Sequence, residues 1–214
     1  MENAYSNLQL DALREVSNIG VGNAATALST LLGTKIDMSV PSVNMVELNE
    51  LLTKSGEDVV VGIIVRVVGD IPGNILILFE EDMAENVIDY LVGSNAGIDS
   101  EMGNSVLCEV GNILSGSYMN AIAQFTKLFV NASVPAVAYD MMSAILATTF
   151  MESGQFDEYI LDIETIFIKD RLAGKTKDAT MYFFEKTTYL KEKELHNRKN
   201  YFNLAKNIAK ETIS

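Results

Sequence analysis

The sequence predicts an α+β fold: an internally duplicated, pseudo-twofold single domain in which helices cover an antiparallel β-sheet and two long helices carry the site. Three observations indicate this. The stretch Asp11–Gly22 recurs at an offset of 94 residues as Ser105–Gly116, with Glu, Asn, Gly and three apolar positions in register. A Ser-Val-Pro triplet at residues 39–41 recurs at 133–135, so two of the three prolines occupy one repeated position. Both halves follow the order helix, strand, short helix, hairpin, helix, which is typical of α+β layers.

The first half begins with a long helix, for which Asn7 is a suitable N-cap. Ile36, Met38 and Val40 then alternate with polar neighbours, as in a half-buried strand, and Pro41 marks an edge or a bulge. A β-branched run and a Gly/Pro-rich turn predict a hairpin after them. The predicted elements are a helix Asn7–Leu32 closed by Gly33, an extended segment Lys35–Glu47, a helical turn Leu48–Thr53, strands Val59–Val68 and Ile75–Phe79 around the turn Gly69–Asn74, and a helix Glu81–Leu91.

The second half repeats this order after the joint Gly93–Asp99. Its predicted elements are a helix Ser100–Thr126, a strand Leu128–Tyr139, a short helix Met141–Phe150, and a hairpin of Tyr159–Lys169 and Ala179–Phe184 with a polar loop Asp170–Lys177. The two repeats therefore span about 8–92 and 100–185 of a single domain, 1–214. Residues 186–214 form a basic tail, expected to be a terminal helix in the place of Glu81–Leu91, with a docking element or mobile tail as the alternative.

The two long helices differ in side-chain volume at equivalent positions. Ala24-Ala25 in the first helix correspond to Tyr118-Met119 in the second, and Gly20 also keeps the first helix slender. A small-against-large exchange of this kind favours two helices packed antiparallel across a pseudo-twofold axis.

Composition limits the possible partners and compartments. The 214 residues carry a net charge of −13, which repels phosphate backbones and argues against nucleic-acid binding. The single cysteine, Cys108, cannot form an internal disulfide and suits a reducing cytosol. The sequence shows no signal peptide and no apolar run of about 18 residues. We therefore expect a cytoplasmic protein without membrane insertion, acting as a monomer or in a hetero-complex. The only histidine, His196, lies in the tail and is expected to be solvated.

Each long helix has a polar stripe opposite its apolar stripe. At 100° per residue, the polar stripes contain Asp11, Glu15, Asn18 and Gly22 in the first helix and Ser105, Glu109, Asn112 and Gly116 in the second. The apolar stripes contain Leu13, Val16, Gly20, Ala24, Ala27 and Leu31, and Leu107, Val110, Leu114, Tyr118, Ala121 and Phe125. Each Glu and the Asn three residues later are therefore neighbours that point away from the core.

A solvated helix face is the simplest interpretation of such a stripe. However, both copies carry Glu-x-x-Asn in register, and Asn is a mediocre helix former that solubility alone would not select. The pattern therefore favours a paired Glu/Asn site. Without His, Glu-x-x-Asn is a poor metal-ligand set, so we expect no metal site, and a metalloenzyme that uses Glu15 and Glu109 together remains a lesser alternative.

The spacing of these residues resembles the Asp/Ser-x3-Glu-x2-Asn-x22-Pro signature of the CheC/CheX/FliY chemotaxis phosphatases. It occurs twice, as Asp11, Glu15, Asn18 and Pro41, and as Ser105, Glu109, Asn112 and Pro135. The resemblance extends from about Leu8 to about Phe184. Two sites in one duplicated domain are most similar to the CheC group, because CheX is expected to keep one site and FliY has an additional flagellar-switch domain.

The resemblance implies hydrolysis of the aspartyl phosphate of CheY, the receiver-domain response regulator of bacterial and archaeal chemotaxis. Asn18 and Asn112 would position the attacking water, and Glu15 and Glu109 would engage a receiver lysine. The first motif positions, Asp11 and Ser105, would support them through local hydrogen bonds, and Pro41 and Pro135 would shape the adjacent strands.

The resemblance also implies partners. We expect no cofactor belonging to this chain, because phosphorylated CheY brings its own Mg²⁺, and CheD, the receptor deamidase, is an expected binding partner. The competing interpretation is a module without catalysis, either a CheD-binding protein or a flagellar-switch interaction module.

Overall fold

The computed structural model describes residues 7–70, 72–93, 96–152, 159–169 and 179–185. Its five helices are α1 Asn7–Leu31, α2 Leu48–Lys54, α3 Glu81–Val92, α4 Glu101–Thr126 and α5 Met142–Glu152. Its eight strands are β1 Ile36–Met38, β2 Ser42–Glu47, β3 Val59–Gly69, β4 Gly73–Phe79, β5 Val130–Ala132, β6 Ala136–Met141, β7 Tyr159–Lys169 and β8 Ala179–Glu185. The predicted loop 170–177 and tail helix 186–214, with His196, lie outside the described residues.

The predicted extended segment Lys35–Glu47 and the predicted strand Leu128–Tyr139 are each divided into two strands in the structure. Lys35–Glu47 becomes β1 and β2, and Leu128–Tyr139 becomes β5 and β6. The interruption falls on the Ser-Val-Pro triplet in both cases. The other predicted helices and strands are found, with boundaries that differ by one or two residues.

The strands described form an antiparallel sheet in the order β1-β7-β8-β4-β3-β5, in which β2 also pairs with β7 and β6 with β3. This order is symmetric about its centre. The outer pair β1 and β2 flanks β7 as β5 and β6 flank β3, and the hairpin β7–β8 corresponds to β3–β4. The pseudo-twofold axis therefore passes between β4 and β8.

The register confirms the duplication residue by residue. Ile36 pairs with Lys169, and Val130 pairs with Gly69. Val130 follows Ile36 by 94 positions, and Lys169 follows Gly69 by 100 positions. The same two offsets convert every β2–β7 pair into a β6–β3 pair. The predicted α+β duplication is therefore present in the backbone pairing.

Helices cover both faces of the sheet. In β4 all seven residues are buried, because alternate side chains point to opposite faces. Ile75, Ile77 and Phe79 join the larger core beneath α1, α3 and α4. Leu76 and Leu78 join a smaller core beneath α2 and α5. The two site-bearing helices thus share one face of the sheet.

Helices α1 and α4 pack against each other through a large ring and a glycine. The Tyr118 ring lies over Gly20, where a β-carbon would come within 2.5 Å of Tyr118 Cδ2. The Tyr118 hydroxyl is 3.2 Å from Ser17 Oγ in a buried hydrogen bond, and burial raises the pKa of Tyr118 to about 12. The predicted exchange of small for large side chains is therefore found at this contact.

The buried face of α1 is wider than its predicted apolar stripe. Val16, Gly20 and Ala24 are buried as predicted, but Leu13, Ala27 and Leu31 are only half-buried. Fully buried instead are Ser17, Val21, Ala25 and Leu28. The reason is that α1 packs against both the sheet and α4, so its buried arc is rotated toward the second contact.

We predict that Gly20→Ala lowers the free energy of unfolding by about 1–3 kcal/mol relative to Gly116→Ala, because it overpacks against Tyr118. Gly116→Ala is the matched control: it gains the same helix propensity, and nothing lies within 4 Å of its β-carbon position. The measurement is urea unfolding of both variants in the wild-type and Tyr118→Ala backgrounds. A Gly20 penalty of equal size in the two backgrounds would contradict the contact.

Strand β7 carries a buried carboxyl group. Asp162 is 6% exposed, and burial, reinforced by the nearby charge of Glu164, raises its pKa from 3.8 to about 7. Within the part of the chain that the structure describes, its Oδ1 has no hydrogen-bond partner. The folded protein therefore favours the neutral acid, whereas the unfolded chain ionises at the lower pKa.

We predict that Asp162 costs stability as pH rises from about 4 to about 7, by up to about 4 kcal/mol in total, because ionisation is progressively more favourable in the unfolded chain. Asp162→Asn removes this titration. The free energy of unfolding of this variant minus that of the wild-type protein, measured by urea titration, should be larger at pH 8.5 than at pH 5. Parallel pH profiles for the two proteins would show that Asp162 is not responsible.

Candidate functional site

The structure places both Glu/Asn pairs on outward faces of the long helices. In α1, Glu15 is exposed and Asn18 half-buried; in α4, Glu109 and Asn112 are both exposed. Each pair spans one helical turn, so the carboxylate and the carboxamide project from adjacent positions. All four side chains are therefore placed where a partner can reach them.

The ends of α4 are set by local chemistry. Ser100 is its N-cap and accepts a hydrogen bond at Oγ from the Gly103 N–H at 2.9 Å. At the other end Lys127 adopts a left-handed conformation, with φ 59°, and its N–H donates to the Ala123 carbonyl. The helix therefore runs unbroken through the Glu109–Asn112 turn.

The first motif positions make local contacts that differ between the copies. Asp11 Oδ1 accepts a hydrogen bond from Arg14 Nη1 at 2.8 Å, between exposed side chains. An exposed pair of this kind contributes about 0–1 kcal/mol to stability. Ser105, the equivalent of Asp11, is exposed.

Cys108 occupies the position equivalent to Arg14. Its Sγ is 3.4 Å from Asn104 Oδ1 and 3.7 Å from the Pro135 carbonyl oxygen. Partial burial raises the pKa of the Cys108 thiol, which favours the protonated form over the nucleophilic thiolate. This residue therefore contributes packing beside Glu109.

A β-bulge shapes the strand beside the first site. The backbone N–H of Ser39 donates to the Ile166 carbonyl at 2.8 Å, and the Ile166 N–H donates to Ser39 Oγ at 3.0 Å. The next pair in register is Ser42 with Glu164. Val40 and Pro41 therefore face a single residue of β7, which is the two-against-one arrangement of a bulge. The predicted edge or bulge at Pro41 is confirmed as a bulge.

The second copy has the same bulge with equivalent contacts. The Ser133 N–H donates to the Arg66 carbonyl at 2.8 Å, and the Arg66 N–H donates to Ser133 Oγ at 2.9 Å. Pairing resumes at Ala136 with Ile64, so Val134 and Pro135 face the single residue Val65. The serine of each triplet thus fixes the bulge to the neighbouring strand.

The prolines of both bulges are buried, and Pro135 faces the site helix α4. Pro135 Cβ lies 3.2 Å from the position that a β-carbon on Gly111 would occupy, in the turn that carries Glu109 and Asn112. Its carbonyl oxygen also contacts Cys108 in the same turn. The strand therefore supports the helix at the level of the Glu/Asn pair.

One prediction about the bulge is wrong. The alternation of Ile36, Met38 and Val40 predicts that all three share the half-buried face of a strand. Ile36 is buried, Met38 is half-buried, and Val40 is 72% exposed. The extra residue of the bulge reverses the alternation, which the sequence signalled only through the adjacent proline.

One cavity lined by described residues lies away from the first Glu/Asn pair. A cavity of about 210 Å³ lies between the end of α1 and α3, lined by Leu32, Thr34, Met83, Asn86 and Tyr90 among others. Leu32 is 14 residues beyond Asn18, about 21 Å along a helix, so this cavity is separate from the first pair. An outward helix face suits contact with a macromolecule better than enclosure of a small molecule.

Comparisons with known proteins agree with the residue pattern. The CheC-like family model matches residues 8–45 and 102–139, which are the two copies of the motif. The Bacillus subtilis protein named CheY-P phosphatase CheC is 40% identical over 171 residues, which cover 76% of this chain and 81% of that protein. The chain belongs to the CheC family. This CheC family member is also 30% identical to the B. subtilis flagellar motor switch phosphatase FliY over 62% of its own length and 36% of that relative.

Solved structures share the fold of this CheC family member. Thermotoga maritima FliY superposes with a TM-score of 0.71 at 18% identity, covering 96% of this chain and all of that one. FliM in the Helicobacter pylori FliM-SpeE complex superposes with a TM-score of 0.64 at 11% identity, covering 95% of this chain and 97% of that one.

In the part of the chain that the structure describes, no helix combines the length and apolarity needed to cross a membrane.

Proposed function

We propose that this CheC family member hydrolyses the aspartyl phosphate of a CheY-type receiver domain. The observation that carries the proposal is the repeated Glu/Asn pair, presented outward on α1 and α4, with the buried Pro135 packed against α4 behind the second pair. The name of the B. subtilis relative, a CheY-P phosphatase, supports the choice of substrate. This CheC family member and the receiver would act together in the cytoplasm.

The carboxamide of Asn18 or Asn112 orients the attacking water. An amide can accept one hydrogen bond from a water and donate another to it, which fixes the water oxygen in line with the phosphorus. The water oxygen bonds to phosphorus as the bond from phosphorus to the aspartyl oxygen breaks. The aspartate leaves as a carboxylate, and the water protons remain with inorganic phosphate and solvent.

Positioning is sufficient for this reaction, because the acyl phosphate is already labile. Orientation of a reactant can contribute up to about 7–11 kcal/mol in the most favourable cases, and much less is needed here. The carboxylate of Glu15 or Glu109 pairs with a lysine of the receiver and so holds the receiver against the helix. Mg²⁺ is part of the phosphorylated substrate and neutralises charge on the phosphoryl oxygens.

Other partners follow from the family resemblance alone. CheD belongs to this proposal as a binding partner, without assigned residues. A flagellar-switch role would be suggested by the likeness to FliM, but at 11% identity this likeness extends to the fold only. The phosphatase therefore remains the function that the paired side chains support best.

We predict that Asn18→Ala combined with Asn112→Ala abolishes the acceleration of phosphate release from phosphorylated CheY, because no carboxamide remains to orient the water. Binding of the receiver should weaken by less than about 1 kcal/mol, since truncating a surface side chain seldom costs more. The measurements are phosphate release and titration with the receiver activated by beryllofluoride and Mg²⁺. Asn23→Ala combined with Asn120→Ala, exposed asparagines of the same two helices, is the matched control.

The controls separate the possible failures. The control variant should release phosphate at the wild-type rate, and circular dichroism should show both double variants folded. A fully active Asn18/Asn112 double variant would refute the water-positioning role. Binding without any acceleration by the wild-type protein would instead favour the non-catalytic interaction module.

A further inference from the structure

Each bulge exposes a valine on the strand that packs against a site helix. Val40 is 72% exposed and Val134 is 84% exposed, and the two residues are equivalent in the duplication. The serine before each valine is tied to the neighbouring strand by two hydrogen bonds, and the proline after it is buried. The backbone therefore holds both valine side chains outward.

The fold does not require valine at these positions. The residue before a proline is restricted to extended conformations, and a β-branched residue suits them. Threonine meets the same requirement and would expose a hydroxyl instead of a methyl group. An apolar side chain projected into solvent in both copies is therefore unexplained by the internal structure.

The internal structure likewise does not explain the glycines that end the polar stripes. Gly22 and Gly116 lie inside helices, where glycine destabilises relative to alanine. A β-carbon on Gly22 would meet only Met38 Cε, at an ordinary 3.9 Å, and on Gly116 it would meet nothing within 4 Å. Neither residue has a positive φ. Neither conformation nor packing therefore requires glycine, in contrast to Gly20.

The valine lies beside the helical turn that leads from the asparagine to the glycine. In the first copy Met38 reaches Gly22, and in the second Pro135 contacts Gly111. Because the two copies are equivalent, these two contacts together show that the strand runs antiparallel to the helix in each copy. The valine lies in the chain between the two contacting strand residues, and so between the two contacted positions of the helix. It is therefore beside the turn from the asparagine to the glycine.

We propose that Val40 with Gly22, and Val134 with Gly116, form the docking surface on which the phosphorylated receiver domain settles at each site. The valine contributes an apolar contact, and the glycine leaves room for the receiver backbone to approach the helix beside the asparagine. The occupant is the receiver because the surface is continuous with the Glu/Asn pair and occurs once for each pair. This inference rests on the proposed function.

The test uses variants with a single active site. In the Asn18→Ala background only the second site acts, and Val134→Thr or Gly116→Ala is added to it. Val134→Thr keeps the shape and the extended preference of valine but places a hydroxyl in the contact, so KM for phosphorylated CheY should rise about tenfold, with kcat changed by less than about twofold. Val59→Thr, at the far end of β3 and 48% exposed, is the matched control and should leave KM unchanged.

Gly116→Ala separates stability from docking, because it should stabilise the fold and weaken binding of the receiver. It should raise the midpoint of thermal unfolding, because alanine favours the helix and meets no neighbour. It should also raise KM about tenfold, because the added methyl group obstructs the receiver. Val40→Thr and Gly22→Ala in the Asn112→Ala background test the first site in the same way.

The outcomes distinguish the inference from the function beneath it. Phosphate release with an unchanged KM in all four variants would overturn the docking surface and leave the phosphatase intact. Absence of phosphate release by the wild-type protein would overturn both. Loss of a dimer in sedimentation, with KM unchanged, would assign the valines to contact between copies of this chain and overturn the receiver as occupant.

Discussion

The packing of α1 against α4 determines where both Glu/Asn pairs point. Tyr118 covers Gly20 and reaches Ser17, so each helix turns its small and apolar residues toward the other helix and the sheet. The polar stripes lie outside this buried arc, so Glu15 and Glu109 face outward. The sheet reinforces this arrangement, because its strands pair in the same register on either side of the pseudo-twofold axis.

A site built on an outward helix face has functional consequences. It offers a carboxylate and a carboxamide on outward helix faces, and in the proposed reaction the reactive bond and the metal belong to the phosphorylated receiver. Duplication gives two such faces, each with its own bulge and its own buried proline. The differences between the copies, such as Arg14 in one and Cys108 in the other, lie beside the paired residues and not within them.

Much of this structure can be predicted from the sequence, because the repeat has a fixed offset and the helices have clear periodicity. The outward placement of Glu15 and Glu109 follows from the same periodicity. The exposure of Val40 could not be predicted, since a single extra residue in a bulge reverses the alternation. Two further features could not be predicted: the rotation of the buried arc of α1 toward Ala25 and Leu28, and the burial of Asp162 in β7. Each depends on contacts between segments distant in sequence.

The central claim is that the fold holds two complete and separate active centres. It is tested most directly by comparing phosphate release from phosphorylated CheY, at limiting concentrations of the receiver, for the wild-type protein, Asn18→Ala and Asn112→Ala. If each half acts alone, the catalysed rates of the two single variants add up to the wild-type rate, whichever copy is the faster. If both single variants fall to the uncatalysed rate, or both keep the full rate, the claim of two independent centres is wrong.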